Sequence, residues 1–191
     1  MVLISVDTTY NNYMNKEAVI EKAREFVSLY NPAGLVPFPY EATIEKLDNV
    51  KLKYYSTDSP DINGAIYLSD GVYNIIINSD KPLNRQYFTV AHELGHYYLH
   101  RDELTDEPGS GFVDWKNLDS MSAFLRADTT PGEDKLAEQE KEANTFAAEI
   151  LMPEDKVREF FEVSGDVEDT AKAFNVSTVA MAIRLEKLGL A

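Results

Sequence analysis

Residues 88–100 read FTVAHELGHYYLH, and the reading of this stretch decides what kind of molecule the chain folds into. Phe88, Val90, Ala91, Leu94 and Leu99 make the segment largely apolar, so it belongs in a buried helix. His92 and His96, four residues apart, project from the same helical face one turn from each other. Their imidazoles can converge on a single ion. Zinc takes a small set of N, O or S ligands in a roughly tetrahedral array, and a catalytic site keeps one position for water. Glu93, between the two histidines, is placed to hold that water and take its proton. The HExxH pattern also arises by chance in unrelated proteins, so it needs support from elsewhere in the chain. One support is that all three histidines of the sequence fall in this segment.

A third ligand is required. His100 is excluded as one because it would lie about 12 Å along the helix axis from His92, at 1.5 Å per residue. It also lacks the glycine turn that folds the chain back in the three-histidine HExxHxxGxxH pattern, and reads as a helix-end or supporting residue. The helix EQEKEANTFAAEILMP, residues 138–153, offers Glu138, Glu140, Glu142 and Glu149. Its buried face is marked by Ala143, Phe146, Ala147, Ile150 and Leu151. At about 100° per residue, Glu140 falls roughly 50° from the centre of that face and Glu142 roughly 110° away, with Glu138 and Glu149 further out. Glu140 is therefore the expected third ligand. Asn144, one turn on, is expected to hydrogen-bond one of the metal-binding groups.

Outward from this centre, residues 15–30 place Val19, Ile20, Ala23, Phe26, Val27 and Tyr30 on one helical face. Asn15 is the expected N-cap, and Asn31-Pro32 with Gly34 ends the helix. The turn LVPFPY leads into a shorter helix near 40–48. Residues 50–55, 64–69 and 72–78 are rich in β-branched and aromatic side chains and read as three strands, the last two joined by a hairpin at Ser69-Asp70-Gly71. Residues 101–132 are polar and broken by Pro and Gly. That is long for a connector, and WKNLDSMSAFLRA within it can form a short helix, with Trp115 anchoring the segment. Helices follow over about 133–152, 154–163, 166–174 and 177–188, the last capped by Ser177.

The fold class expected is α+β: a small, antiparallel-type three-stranded sheet packed against zincin-like active-site helices, with a C-terminal helical unit resembling a helix-turn-helix. Residues 1–152 are read as the peptidase domain and 153–191 as the C-terminal unit.

Bulk properties narrow the function. At 191 residues and 44% hydrophobic content the chain can fill one core. No apolar run is long enough to cross a bilayer, and the first residues lack the basic and apolar regions of a signal peptide. Zero cysteines removes thiol chemistry and fits a reducing cytoplasm. A net charge of −15, from 18 basic and 33 acidic residues, argues against general nucleic-acid binding, which depends on Lys and Arg. In the helix-turn-helix-like segment, Arg184 and Lys187 are the only basic residues of the second helix, so packing on the core is expected instead. Any one of the 11 tyrosines, the adjacent Tyr97 and Tyr98 among them, is a candidate to steady an oxyanion, and the sequence does not choose between them.

The runs FTVAHELGHYYLH and EKEANTFAAEILMP, with NGAIYLSDGVYNIIIN before them and FNVSTVAMAIRLEKLGL after, resemble the ImmA/IrrE family of metallo-endopeptidases over roughly residues 60–190. The resemblance implies a gluzincin-like centre in which His92, His96 and Glu140 bind one Zn²⁺ per chain and Glu93 is the catalytic base. Mn²⁺ or another divalent ion would satisfy the same ligands. It also implies a protein substrate, a transcriptional repressor. The competing expectation is a non-catalytic, antirepressor- or antitoxin-like binding protein that retains a metal site. A DNA-binding regulator is a third reading, disfavoured by charge.

Overall fold

The computed structural model describes residues 14–57, 61–107, 110–115 and 135–191. Beyond the strand residue Trp115, the short helix expected from WKNLDSMSAFLRA lies outside the described residues, as does the Trp115 side chain.

Helix α1, Lys16–Tyr30, begins where Asn15 Oδ1 accepts from the Ala18 N–H at 2.8 Å, and buries Val19, Ala23 and Phe26. Asn31 closes it by bonding both the N–H and the C=O of Leu35, a turn that passes through Gly34 at φ +60. A short α2, Tyr40–Ile44, follows. It is half the expected length.

The sheet corrects the sequence expectation. Strands β1 (Val50–Tyr55), β2 (Ile62–Ser69), β3 (Val72–Asn78) and β4 (Phe112–Trp115) make a four-stranded mixed sheet in the order β1-β3-β2-β4. The hairpin between β2 and β3 forms as expected, with Asp70 (φ +52) and Gly71 (φ +71) both left-handed at its turn. Strand β1, however, pairs parallel to β3, Val50 opposite Tyr73. Strand β4 pairs antiparallel to β2 on its other side, with a bulge at Ile62/Gly64. Adjacent strands in sequence need not be adjacent in the sheet, and a four-residue strand inside a polar segment carries little alternation to betray it.

Helix α3, Leu83–His100, crosses the sheet. Gly64 makes the approach possible: a Cβ there would stand 2.5 Å from Thr89 Cγ2 and 2.8 Å from the Ile76 carbonyl oxygen. Helix α4, Lys135–Leu151, lies against α3 on one side and α1 on another. Ile66, Ile75, Ile77, Leu94, Phe26 and Phe146 are fully buried between these layers.

Helices α5 (Glu154–Ser164), α6 (Val167–Ala173) and α7 (Thr178–Lys187) complete the chain. Asp166 caps α6, and Ser177 Oγ accepts from the Ala180 N–H to cap α7. Arg184 is not a surface cation. Its Nε donates to the Met152 carbonyl at 3.0 Å, and its two terminal nitrogens grip both oxygens of Glu149. Among the described residues, no helix is long and apolar enough to cross a membrane.

Candidate metal centre

The middle of α3 carries the chemistry. His92 and His96 are 1% and 0% exposed, and their Nε2 atoms lie 3.1 Å apart. From α4, Glu140 reaches the same point, with Oε2 3.2 Å from His92 Nε2 and Oε1 3.2 Å from His96 Nε2. Among the described residues these three form a group whose ligand atoms all lie within 4.8 Å of one another. The sequence singled out all three, and the fold brings them together.

The donor set fits a tetrahedrally coordinated cation. Bonds of about 2.0 Å from one ion make ligand atoms about 3.3 Å apart along a tetrahedral edge, close to the separations found here. Asn144 Oδ1 stands 3.1 Å from His92 Nδ1. Accepting a proton there fixes the tautomer that leaves the Nε2 lone pair facing inward. The ring of His96 is held by Phe112 of β4, stacked at 4.1 Å between centroids with 8° between planes.

Protonation of the side chains alone shows how strained this grouping is without a positive charge at its centre. Burial lowers the proton affinity of His92, but the Glu140 hydrogen bond and the charges of Asp114, Glu140 and Glu93 outweigh it, so its pKa is pushed up to about 9. Burial dominates at His96, pushed down to about 3 despite the opposing Glu140 bond. Glu140, though buried, is held well below the usual carboxylate range by its bonds to the two imidazoles. A divalent cation held between these groups would compete with protons for them.

Glu93 is 0% exposed, and neither of its carboxylate oxygens has a hydrogen-bond partner among the described residues. Burial drives its pKa well above the ordinary value, with the charge of His92 opposing and those of Asp114 and Glu140 adding to the rise. An unsatisfied buried carboxylate costs several kcal/mol, on the order of a lost charged hydrogen bond or more. Such groups persist where a ligand or a reaction uses them.

The helical-face argument misplaced two other carboxylates. Glu142 and Glu149 are 7% and 8% exposed, as buried as Glu140 at 7%. Helix α4 is covered by α1, α3 and the C-terminal helices, so no single face is solvated and periodicity alone cannot rank its side chains. Glu142 accepts from the Met14 N–H at 2.8 Å and stands 3.4 Å from His100 Nε2. Glu149 holds Arg184. His100, 5% exposed at the end of α3, is not among the residues grouped around the candidate metal point. Tyr97 and Tyr98 are engaged elsewhere, Tyr97 edge-on to Tyr73 and Tyr98 against Phe26 and Phe146.

Sequence reasoning missed Asp114. It is 2% exposed on β4, accepts one long bond from Thr89 Oγ1 at 3.4 Å, and its charge is felt by both His92 and Glu93. The only available signal was FVDW after Gly111, a short alternation inside a stretch read as loop. A cleft of about 490 Å³ lined by Arg24, Ser28, Glu149 and Arg158 contains none of His92, Glu93, His96, Asp114 and Glu140.

Two comparisons with known proteins bear on the centre. Residues 41–186 match the family model of the IrrE N-terminal-like domain. The metallopeptidase ImmA of Bacillus subtilis (strain 168) is 26% identical over 147 residues, which cover 76% of this chain and 75% of that protein.

Proposed function

The chain belongs to the IrrE N-terminal-like family of metallopeptidases, and on that premise we propose that it is a zinc-dependent endopeptidase of the cytoplasm that cleaves a regulatory protein, a DNA-binding repressor. The proposed ligands are His92, His96 and Glu140, and the proposed catalytic base is Glu93. The supporting observation is the buried Glu93 carboxylate, unpartnered at both oxygens and next in sequence to the first ligand. A purely structural metal site has no use for such a group.

When bound, the ion supplies Lewis acidity, polarising a scissile carbonyl and acidifying a water. Glu93 would take a proton from the attacking water and return it to the leaving amine, a role suited to a carboxylate whose burial has raised its proton affinity. Asn144 orients His92, and Phe112 holds the His96 ring in place. Buried, apolar surroundings exclude bulk water and strengthen each of these interactions. The peptidase unit is taken as residues 1–152, with 153–191 as a helical unit beside it. A repressor suits the charge: DNA-binding proteins are basic, and this chain carries −15.

The second reading, a binding protein that inactivates its partner without cutting it, is separated by Glu93→Gln. Incubation of zinc-loaded wild type with candidate DNA-binding repressors should give defined fragments of one of them by mass spectrometry. The variant should retain one zinc per chain and give none. A Glu93→Gln protein that still relieves repression in cells favours the binder.

A further inference from the structure

Asp114 presents a buried carboxylate with almost nothing to satisfy it. It is 2% exposed; among the described residues Oδ1 has no partner, and Oδ2 receives only the 3.4 Å contact from Thr89 Oγ1, long for an O–H···O bond. No described Lys or Arg pairs with it. Its place is fixed from two sides. It stands opposite Gly64 in the β2–β4 ladder, on the sheet face that α3 touches through Thr89. Thr89 lies one helical turn before Glu93 on the same face of α3. Asp114 therefore lies near the proposed catalytic carboxylate, and its charge is felt there.

A lone charge in such surroundings costs several kcal/mol unless a partner of opposite sign joins it. We propose that Asp114 is a specificity-determining residue that receives a cationic side chain, Lys or Arg, of the substrate beside the bond to be cleaved. This rests on the peptidase reading above. Asp114 at 2% exposure is as buried as Glu93 and His92, at 0% and 1%, so a substrate side chain reaches it only if the opening that admits the scissile bond to Glu93 extends to it. A basic side chain gains more from this carboxylate than a neutral N–H does, because ion–ion hydrogen bonds are about twice as strong as neutral ones. The chain's charge of −15 concentrates basic peptides around it before docking.

The probe is a positional set of fluorescent peptides carrying Lys or norleucine, an uncharged chain of similar shape, at each position in turn. It is titrated against the zinc-loaded Glu93→Gln protein by anisotropy, and wild-type cleavage of the same set is read by mass spectrometry. Lys should exceed norleucine by about tenfold or more at one position, and Asp114→Asn, isosteric and uncharged, should remove that preference in both readouts while zinc content and circular dichroism stay unchanged. Asp114→Glu, which keeps the charge, should retain part of it. Equal binding of Lys and norleucine peptides, absence of binding, or a preference surviving in Asp114→Asn each overturns the proposal. Binding preference in Glu93→Gln with no cleavage by wild type leaves this inference standing and counts against the peptidase reading instead.

Discussion

Gly95 lies flat against Ala143: a methyl at position 95 would sit 3.0 Å from the Ala143 Cα and 3.1 Å from its carbonyl oxygen. The atoms it would meet are backbone, so no side chain can swing aside. This contact sets the separation of α3 and α4 between the two motifs, with His96 one residue after Gly95 and Glu140 one turn before Ala143. The glycine inside HELGH is thus what lets a carboxylate from one helix reach imidazoles on the other.

Gly95→Ala should therefore weaken zinc binding. The added methyl gains about 1 kcal/mol of helix propensity, but overpacking costs about 1–3 kcal/mol and is relieved only by parting the helices. Competition against a chelating dye should show affinity reduced by about tenfold or more, with the protein still folded. An unchanged affinity would mean that the helix spacing does not control the ligand set.

Asn144→Ala removes the acceptor at His92 Nδ1. Loss of such a partner costs about 10–100-fold in metal affinity, and the same dye competition measures it. Asn144→Asp keeps an acceptor oxygen and should retain most of the affinity. Equal losses in both variants would place the effect in packing and not in orientation of the ring.

Zinc affinity should rise with pH and level off near pH 9. The side chains alone hold a proton on His92 up to about that value, and the proton must leave before Nε2 can donate to a cation. Below it, each unit of falling pH weakens binding by up to about tenfold for one displaced proton. Calorimetry in buffers of different ionisation enthalpy should count about one proton released per zinc at neutral pH. A binding enthalpy independent of buffer sinks this account.

Glu149 and Arg184 form a two-pronged ion pair, with side chains 9% and 8% exposed. Removing either partner alone, as in Arg184→Met or Glu149→Leu, should destabilise by about 3–5 kcal/mol because a buried charge is left unpaired. The double variant Glu149→Leu with Arg184→Met should recover much of that loss. Urea unfolding of the four proteins decides it. Additive losses would show that the two residues act independently.

What the sequence by itself determined was local in origin. Helical periodicity put His92, Glu93 and His96 on one buried turn and favoured Glu140 among four candidate carboxylates, although Glu142 and Glu149 proved as buried. The caps at Asn15 and Ser177 and the turn at Asp70-Gly71 were legible because a side chain bonding three residues on, or a left-handed φ, is decided within a few residues. Tertiary structure alone decided the parallel pairing of β1 with β3, the existence of β4, the burial of Glu142 and Glu149, the Phe112 stack on His96 and the unpaired carboxylate of Asp114. Each of these depends on which distant segment lies alongside, and strand order and helix coverage are set by packing of the whole chain, to which no local period refers.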